Sequence, residues 1–353
     1  MPPDRTQKTP FLFDLASEKP TTRTIARLVK EGGVAALTGA VHRSDDASYQ
    51  EVVCRSALNR VEGMPFGWTL NPYRGCTHGC HYCFARRYQT QFELNPGDEF
   101  SSLILVKTNF TDVLRRELRK SSWNRELVAF GTATDPYQPI EGHYKLSRRS
   151  LEALRDFHTP VGLVTKGPMI VRDCDVLADL TRAAGCTVYF SVPTVDEEAW
   201  RRLEPGTAHP LQRLRAVREL VNAGVNAGVL MAPIVPGITS NRSKLERTIC
   251  EIARHGARFV GANVLYLEGG TRDHFLRFLN TEFPQLLPKY KTLYAKKYAP
   301  KGYIAQVQSI VRMLQQRHGM PPRGAAGKRG GSEELLQDKN AEMPEQVAFA
   351  WRE

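Results

Sequence analysis

The chain has no run of about 18 or more apolar residues, so nothing in it reads as a membrane-spanning helix. Residues 1–20 lack the basic-then-apolar order of a secretory leader, which points to a cytoplasmic protein. No repeat of 20–50 residues is visible, which argues against a solenoid. Cysteines number seven, an odd count that suits a reducing compartment better than a closed disulfide framework. Acidic residues are also short: 37 Asp and Glu against 49 Lys and Arg leave a formal charge of +12. That balance favours an anionic substrate or partner, nucleic acid among them. Much of the excess reads as solvated helix surface, as in Arg115, Arg116, Arg119 and Lys120, Arg148 and Arg149, and Arg213, Arg215 and Arg218.

What the chain does have is three cysteines close together. Cys76, Cys80 and Cys83 stand in Asn71-Pro72-Tyr73-Arg74-Gly75-Cys76-Thr77-His78-Gly79-Cys80-His81-Tyr82-Cys83-Phe84, a C-x3-C-x2-C spacing. Three thiolates so placed converge on a soft metal centre and leave one coordination position without a local ligand. A structural zinc site would take His78 or His81 as its fourth ligand, but no second C-x2-C or H-x3-H knuckle occurs downstream. A zinc- or cluster-containing nucleic-acid binder using the basic surface is the competing class. The scattered Cys54, Cys174, Cys186 and Cys250 read as small hydrophobic residues.

The hydropathy pattern divides the chain into a disordered start (1–20), a small N-terminal extension (21–64), a core (65–283), a helical C-terminal appendage (284–319) and a disordered tail (320–353). In the core, strand patterns at 66–70, 127–131, 161–165, 187–192, 225–232 and 258–265 alternate with helix patterns at 80–92, 111–119, 147–157, 173–184, 210–223, 243–255 and 273–279. An additional strand is expected at 103–106. This alternation implies right-handed crossovers onto one parallel sheet, an α/β fold whose six units make a partial barrel. In such barrels the loops after the strands build the site, and the cysteine loop follows the first strand.

The cysteine spacing resembles the signature of radical S-adenosylmethionine enzymes, and the longer stretch from Asn71 to Arg86 is similar to the subgroup containing spore photoproduct lyase and its bacterial relatives. The resemblance implies a (β/α)6 partial TIM barrel. It implies a 4Fe-4S cluster on the three cysteines, S-adenosyl-L-methionine as cosubstrate and a reductant such as flavodoxin or ferredoxin. It further implies reductive cleavage to a 5′-deoxyadenosyl radical, chemistry that belongs to the cofactor pair while the protein orients and shields it.

The same resemblance assigns the strand ends. Thr134, after the second strand, maps to the methionyl-binding stretch, and Lys166, after the third, to a cation facing the methionyl carboxylate. Ser191 maps to a ribose or methionyl contact, Ile234 and the loop to Gly237 to the adenine, and Tyr82 offers backbone to the same ring. Phe84 stands where the lyase branch often has Tyr, and Thr132 where the lyase carries its hydrogen-donating Cys. The expectation is therefore an enzyme of this chemistry with another substrate.

Overall fold

The computed structural model describes residues 20–32, 41–42, 47–92, 97 and 99–323. The expectations for 1–19 and 324–353 lie outside the described residues. Among the described residues eleven strands run in chain order: β1 (Val41–His42), β2 (Ser48–Val52), β3 (Leu58–Arg60), β4 (Trp68–Leu70), β5 (Tyr73–Arg74), β6 (Leu103–Lys107), β7 (Val128–Phe130), β8 (Val161–Thr165), β9 (Cys186–Ser191), β10 (Asn226–Ile234) and β11 (Val260–Val264). Seven form the main sheet in the order β11-β10-β9-β8-β7-β4-β3. The six from β4 to β11 pair in parallel, and β3 closes one edge antiparallel to β4. The fold is the partial TIM barrel that the alternation implied.

Period-two burial explains why these segments are strands. Along β8, β9 and β10 the side chains of Val161, Leu163, Val188, Phe190, Val229 and Met231 are at most 1% exposed and join one core. Their partners in that core come from helices Leu146–Asp156, Cys174–Ala183, Pro210–Asn222 and Arg242–Arg254. Those helices carry apolar residues at helical spacing, for example Val176, Leu177 and Leu180, and two begin at side-chain caps, His209 and Asn241. Of the intervening residues, Gly162, Val164, Leu230 and Ala232 are half-buried, while Tyr189 and Gly228 are buried.

Several expectations need correction. The predicted helix 80–92 begins only at Phe84 and is a 3-10 helix, Phe84–Phe92, because Cys80–Cys83 form the turns that present the cysteines. The additional strand β6 does not join the barrel. It belongs to a second sheet, β1-β2-β6-β5, in which β2 pairs parallel to β6 and β5 antiparallel to it. The segment read as an extension is thus divided between the sheets, since β3 completes the barrel edge. A helix at Glu197–Leu203, capped by Asp196 onto Ala199 N at 3.1 Å, was missed for its shortness.

The C-terminal helices are built into the barrel. In Leu287–Leu293 and just after it, Tyr290 and Tyr294 stack at 5.5 Å and donate to the carbonyls of Pro236 and Leu265 at 2.7 and 2.8 Å, while Lys289 and Lys291 stay exposed. Helix Lys301–Arg317 contributes Val307, Val311 and Leu314 to the main core. Residues 320–323, read from composition as the start of a disordered tail, instead pair with the outer edge of β11. No helix among the described residues is long and apolar enough to cross a membrane.

Candidate active site

The loop from Asn71 to Phe84 leaves β4 at the carboxyl end of the barrel. Its shape is fixed by hydrogen bonds to the loop after β7. Thr134 Oγ1 donates to the Gly75 carbonyl at 2.6 Å, and Gln138 receives Thr77 N at 3.2 Å while donating to Thr134 Oγ1 at 3.0 Å. Asn71 accepts from Ala133 N at 2.8 Å and donates to Thr132 Oγ1 at 3.2 Å. From the other side, His81 N donates to Leu203 O and Gly206 N to His78 O, both at 3.1 Å. The approach there is so close that a Cβ on Gly206 would lie 2.2 Å from Thr77 O, which only glycine permits.

All seven cysteines are free thiols; Cys76 and Cys80 are buried and Cys83 half-buried. Burial pushes the Cys80 thiol well up and raises Cys83 too, each reinforced by the neighbouring cysteine sulfurs. Protons on buried, mutually repelling thiols are what a metal centre displaces. Among the described residues no three His, Cys, Asp or Glu side chains converge on one ion. A cuboidal cluster does not need convergence, because each thiolate takes a separate iron. The donor set fits such a cluster in kind and number, and beside Cys76 the hydroxyl of Thr77 is buried without a hydrogen-bond partner.

Across from the cysteines stands Lys166 at the end of β8. Its ammonium is 3.9 Å from Glu204, whose carboxylate receives Arg213 at 2.6 Å and the Tyr82 hydroxyl from the cysteine loop. Arg213 is fully buried and also donates to Ser191 O at 2.9 Å, Ala208 O at 2.8 Å and Thr207 Oγ1 at 2.7 Å. Burial alone would lower Lys166, but the Cys80 sulfur and Glu204 carboxylate outweigh it and hold the ammonium above lysine's usual value. Glu204 is held below the usual carboxylate range by Arg213 and Lys166 against its own burial.

A second buried pair supports the same strand end. Asp135 accepts Thr165 Oγ1 and Lys166 N, both at 2.6 Å, and faces His78 Nδ1 at 3.3 Å. That His78 nitrogen is outside hydrogen-bond geometry, so the contact is an ion-pair distance only. Burial would raise Asp135; His78, Thr165 and the Lys166 N–H reverse this and hold it at about 2.

The sequence-derived residues are therefore assembled unequally. Cys76, Cys80, Cys83, Tyr82 and Lys166 share one mouth. Thr134 is there, but its hydroxyl is committed to Gly75. Ser191 lies at the end of β9, its hydroxyl 3.4 Å from Ala232 O. Ile234 turns its side chain into the main core and gives its carbonyl to Leu265 N at 3.0 Å, leaving only the loop beyond it at the mouth. Gly237 in that loop takes a φ of +75°. Phe84 sits edge-on to Tyr88 with ring centroids 6.2 Å apart. Sequence reasoning missed Asp135 and Gln138 as clamps and misread Arg213 as solvated surface. Only the helical register of Arg213, beside Leu214 and Val217, could have shown that it faces inward.

The sequence profile of the Radical SAM superfamily matches residues 70–249, half of the chain. The chain belongs to that superfamily. An uncharacterised protein of Mycobacterium tuberculosis (strain ATCC 25618 / H37Rv) is 40% identical over 274 residues, 76% of this chain and 81% of that protein. A radical SAM Nα-GlyT isomerase of Pseudomonas phage M6 is 27% identical over 171 residues, 48% of this chain and 34% of its own. Spore photoproduct lyase with bound AdoMet and dinucleoside spore photoproduct shares the fold, with a TM-score of 0.62 at 15% identity over 80% of this chain and 85% of the lyase. As a radical SAM protein the chain is an enzyme, and membership implies S-adenosylmethionine and a 4Fe-4S cluster.

Proposed function

We propose that this radical SAM enzyme holds a 4Fe-4S cluster through Cys76, Cys80 and Cys83 and generates a 5′-deoxyadenosyl radical that abstracts hydrogen from a substrate other than the spore photoproduct. When bound, the reduced cluster supplies the electron that splits S-adenosylmethionine into methionine and that radical. The observation that carries the reading is the facing of three free thiols, in one loop after the first parallel strand, by a charged Lys166 fixed at the next-but-one strand end. In this reading Lys166 meets the methionyl carboxylate, exchanging part of its interaction with Glu204 for a closer anion. Asp135 fixes the Lys166 backbone, and Arg213 and Glu204 tie Tyr82, Ser191 and Lys166 together. Backbone after Ser191, at the end of β9, and after Ile234 is left to the nucleoside.

The lyase reaction, as its subgroup is understood, ends with a thiol returning hydrogen, and Thr132 cannot do so because its O–H bond resists homolysis. An external reductant such as flavodoxin or ferredoxin is the electron source we assign. Anaerobic reconstitution with iron and sulfide, reduction with dithionite and chromatography for 5′-deoxyadenosine and methionine test the proposal. Four irons per chain with formation of both products is the expected result; a zinc-loaded protein that forms neither would return the chain to the nucleic-acid-binding class.

A further inference from the structure

The inner wall of the barrel contains a binding feature that the proposed radical step does not use. A closed TIM barrel is filled by bulky branched side chains. Here the inward positions Gly162, Val164, Leu230, Ala232 and Gly261 are small or aliphatic, uncharged and half-buried, so the lumen below the mouth is only partly filled. Its floor is aromatic. The Phe259 ring occupies the space above Gly228, where a Cβ would lie 2.6 Å from it, and stands edge-on to Tyr189 with centroids 5.3 Å apart.

Over this floor reaches one cation. Arg323 places its guanidinium 4.7 Å above the Tyr189 ring, and its stem passes over Gly261, where a Cβ would already stand 3.4 Å from both its Cβ and Cδ. The backbone that carries it is fixed. Val260 N donates to Pro321 O and Arg323 N to Val260 O, each at 3.1 Å; Gln315 Nε2 donates to Val260 O and Met320 N to Gln315 O, each at 2.8 Å. Among the described residues no carboxylate lies within ion-pair distance of Arg323, which is exposed and whose contact is with the Tyr189 ring. A cation–π contact of this kind holds the guanidinium over the ring, and its N–H groups can grip an oxyanion by two parallel bonds. Tyr189 precedes Ser191 by two residues on β9, which puts this group roughly 7 Å below the mouth.

We propose that Arg323, stacked on Tyr189, is a substrate-binding residue that takes the oxyanion group, carboxylate or phosphate, of a substrate whose uncharged portion lies in the lumen beneath the mouth. The purpose of the site rests on the radical reaction proposed above; its existence does not. A substrate anchored there presents the atoms one layer above its anionic group to the mouth, so the site selects both the chemical class and the position that is attacked.

The test is calorimetric titration of the reconstituted, S-adenosylmethionine-loaded protein at constant ionic strength with inorganic phosphate, with acetate, and with acetamide as the neutral control. Saturable binding of phosphate or acetate, weakened at least about tenfold in Arg323→Gln and less in Arg323→Lys, supports the site. Preference for phosphate then assigns a phosphate-bearing substrate, and preference for acetate a carboxylate. Tyr189→Leu, which removes the platform without touching the cation, is expected to weaken the same anion. Equal affinity in wild type and Arg323→Gln, or no saturable binding of either anion, overturns the proposal. Iron content and S-adenosylmethionine affinity are measured on every variant to show that the mouth is intact. Failure of the radical reading would show separately, as absence of 5′-deoxyadenosine whatever the anions do.

Discussion

Glu204→Gln is the perturbation that most directly probes how the mouth is held. Glu204 and Arg213 are 3% and 0% exposed, so the charge left behind has no water to turn to. Breaking one partner of a buried pair typically costs about 3–5 kcal/mol, because the remaining ion stays desolvated. Arg213 keeps three oxygen acceptors, those of Ser191, Ala208 and Thr207, and glutamine preserves the shape of the carboxylate. The lower end, about 3 kcal/mol, is therefore expected. Urea unfolding of the metal-free protein measures it, alongside Arg213→Met and the double variant. If the two side chains act as one unit, the double variant will cost less than the sum of the singles by about 2 kcal/mol. Tyr82 and Lys166 both contact the same carboxylate, so the variant should also weaken S-adenosylmethionine binding after reconstitution. Single variants that each cost under about 1 kcal/mol and add without coupling would show that the pair is not what ties the cysteine loop to the barrel.

Four further outcomes are expected. Cys76→Ala, Cys80→Ala and Cys83→Ala should each remove the broad visible absorption of the reconstituted protein and all 5′-deoxyadenosine formation; a triple variant still holding four irons would refute the ligand assignment. Lys166→Ala should weaken S-adenosylmethionine binding by about 1.5–3 kcal/mol with iron content unchanged, and an unaltered titration would reduce Lys166 to a structural ion. Thr134→Ala, which removes the bond to the Gly75 carbonyl, should cost about 1 kcal/mol and hasten loss of iron to a chelator; unchanged iron release would separate Thr134 from the cluster loop. The Asp135 carboxyl is depressed from 3.8 to about 2, so its stabilisation is complete above the unfolded value and is lost as pH falls from about 4 towards 2. Over that window the metal-free wild type should lose about 2 kcal/mol relative to Asp135→Asn, and parallel acid-unfolding curves would contradict this.

The barrel was legible because its information is local. Apolar runs of five to eight residues, several rich in Val, separated by amphipathic segments leave few arrangements other than a wound parallel sheet, and the cysteine spacing marks its own loop. The second sheet was not legible, since β5 and β6 are separated by the cysteine loop and their pairing is a tertiary choice. Arg213 illustrates the deeper limit. In sequence it sits with Arg215 and Arg218 and differs from them only in register, yet it is the one that lies under a carboxylate contributed from nine residues earlier. Buried ion pairs of this kind leave no compositional trace, because each charge alone looks like surface. The strap at 320–323 was hidden similarly: Pro321 and Pro322 suggest a break, while the carbonyl of Pro321 is what completes the hydrogen bonding of Val260.

On β8 and β10, the division between an outer face sealed beneath helices and a partly open inner face separates two kinds of selection. Substitutions such as Leu163 or Phe190 to smaller residues would leave cavities in a packed core and would be removed for loss of stability. Changes at Val164, Leu230 or Ala232, which lie outside the sealed core, alter the shape of the lumen and can accumulate at lower thermodynamic cost. A lineage carrying this barrel can thus exchange one substrate for another by altering alternate residues on two strands, with the radical-generating mouth and the core both left as they were.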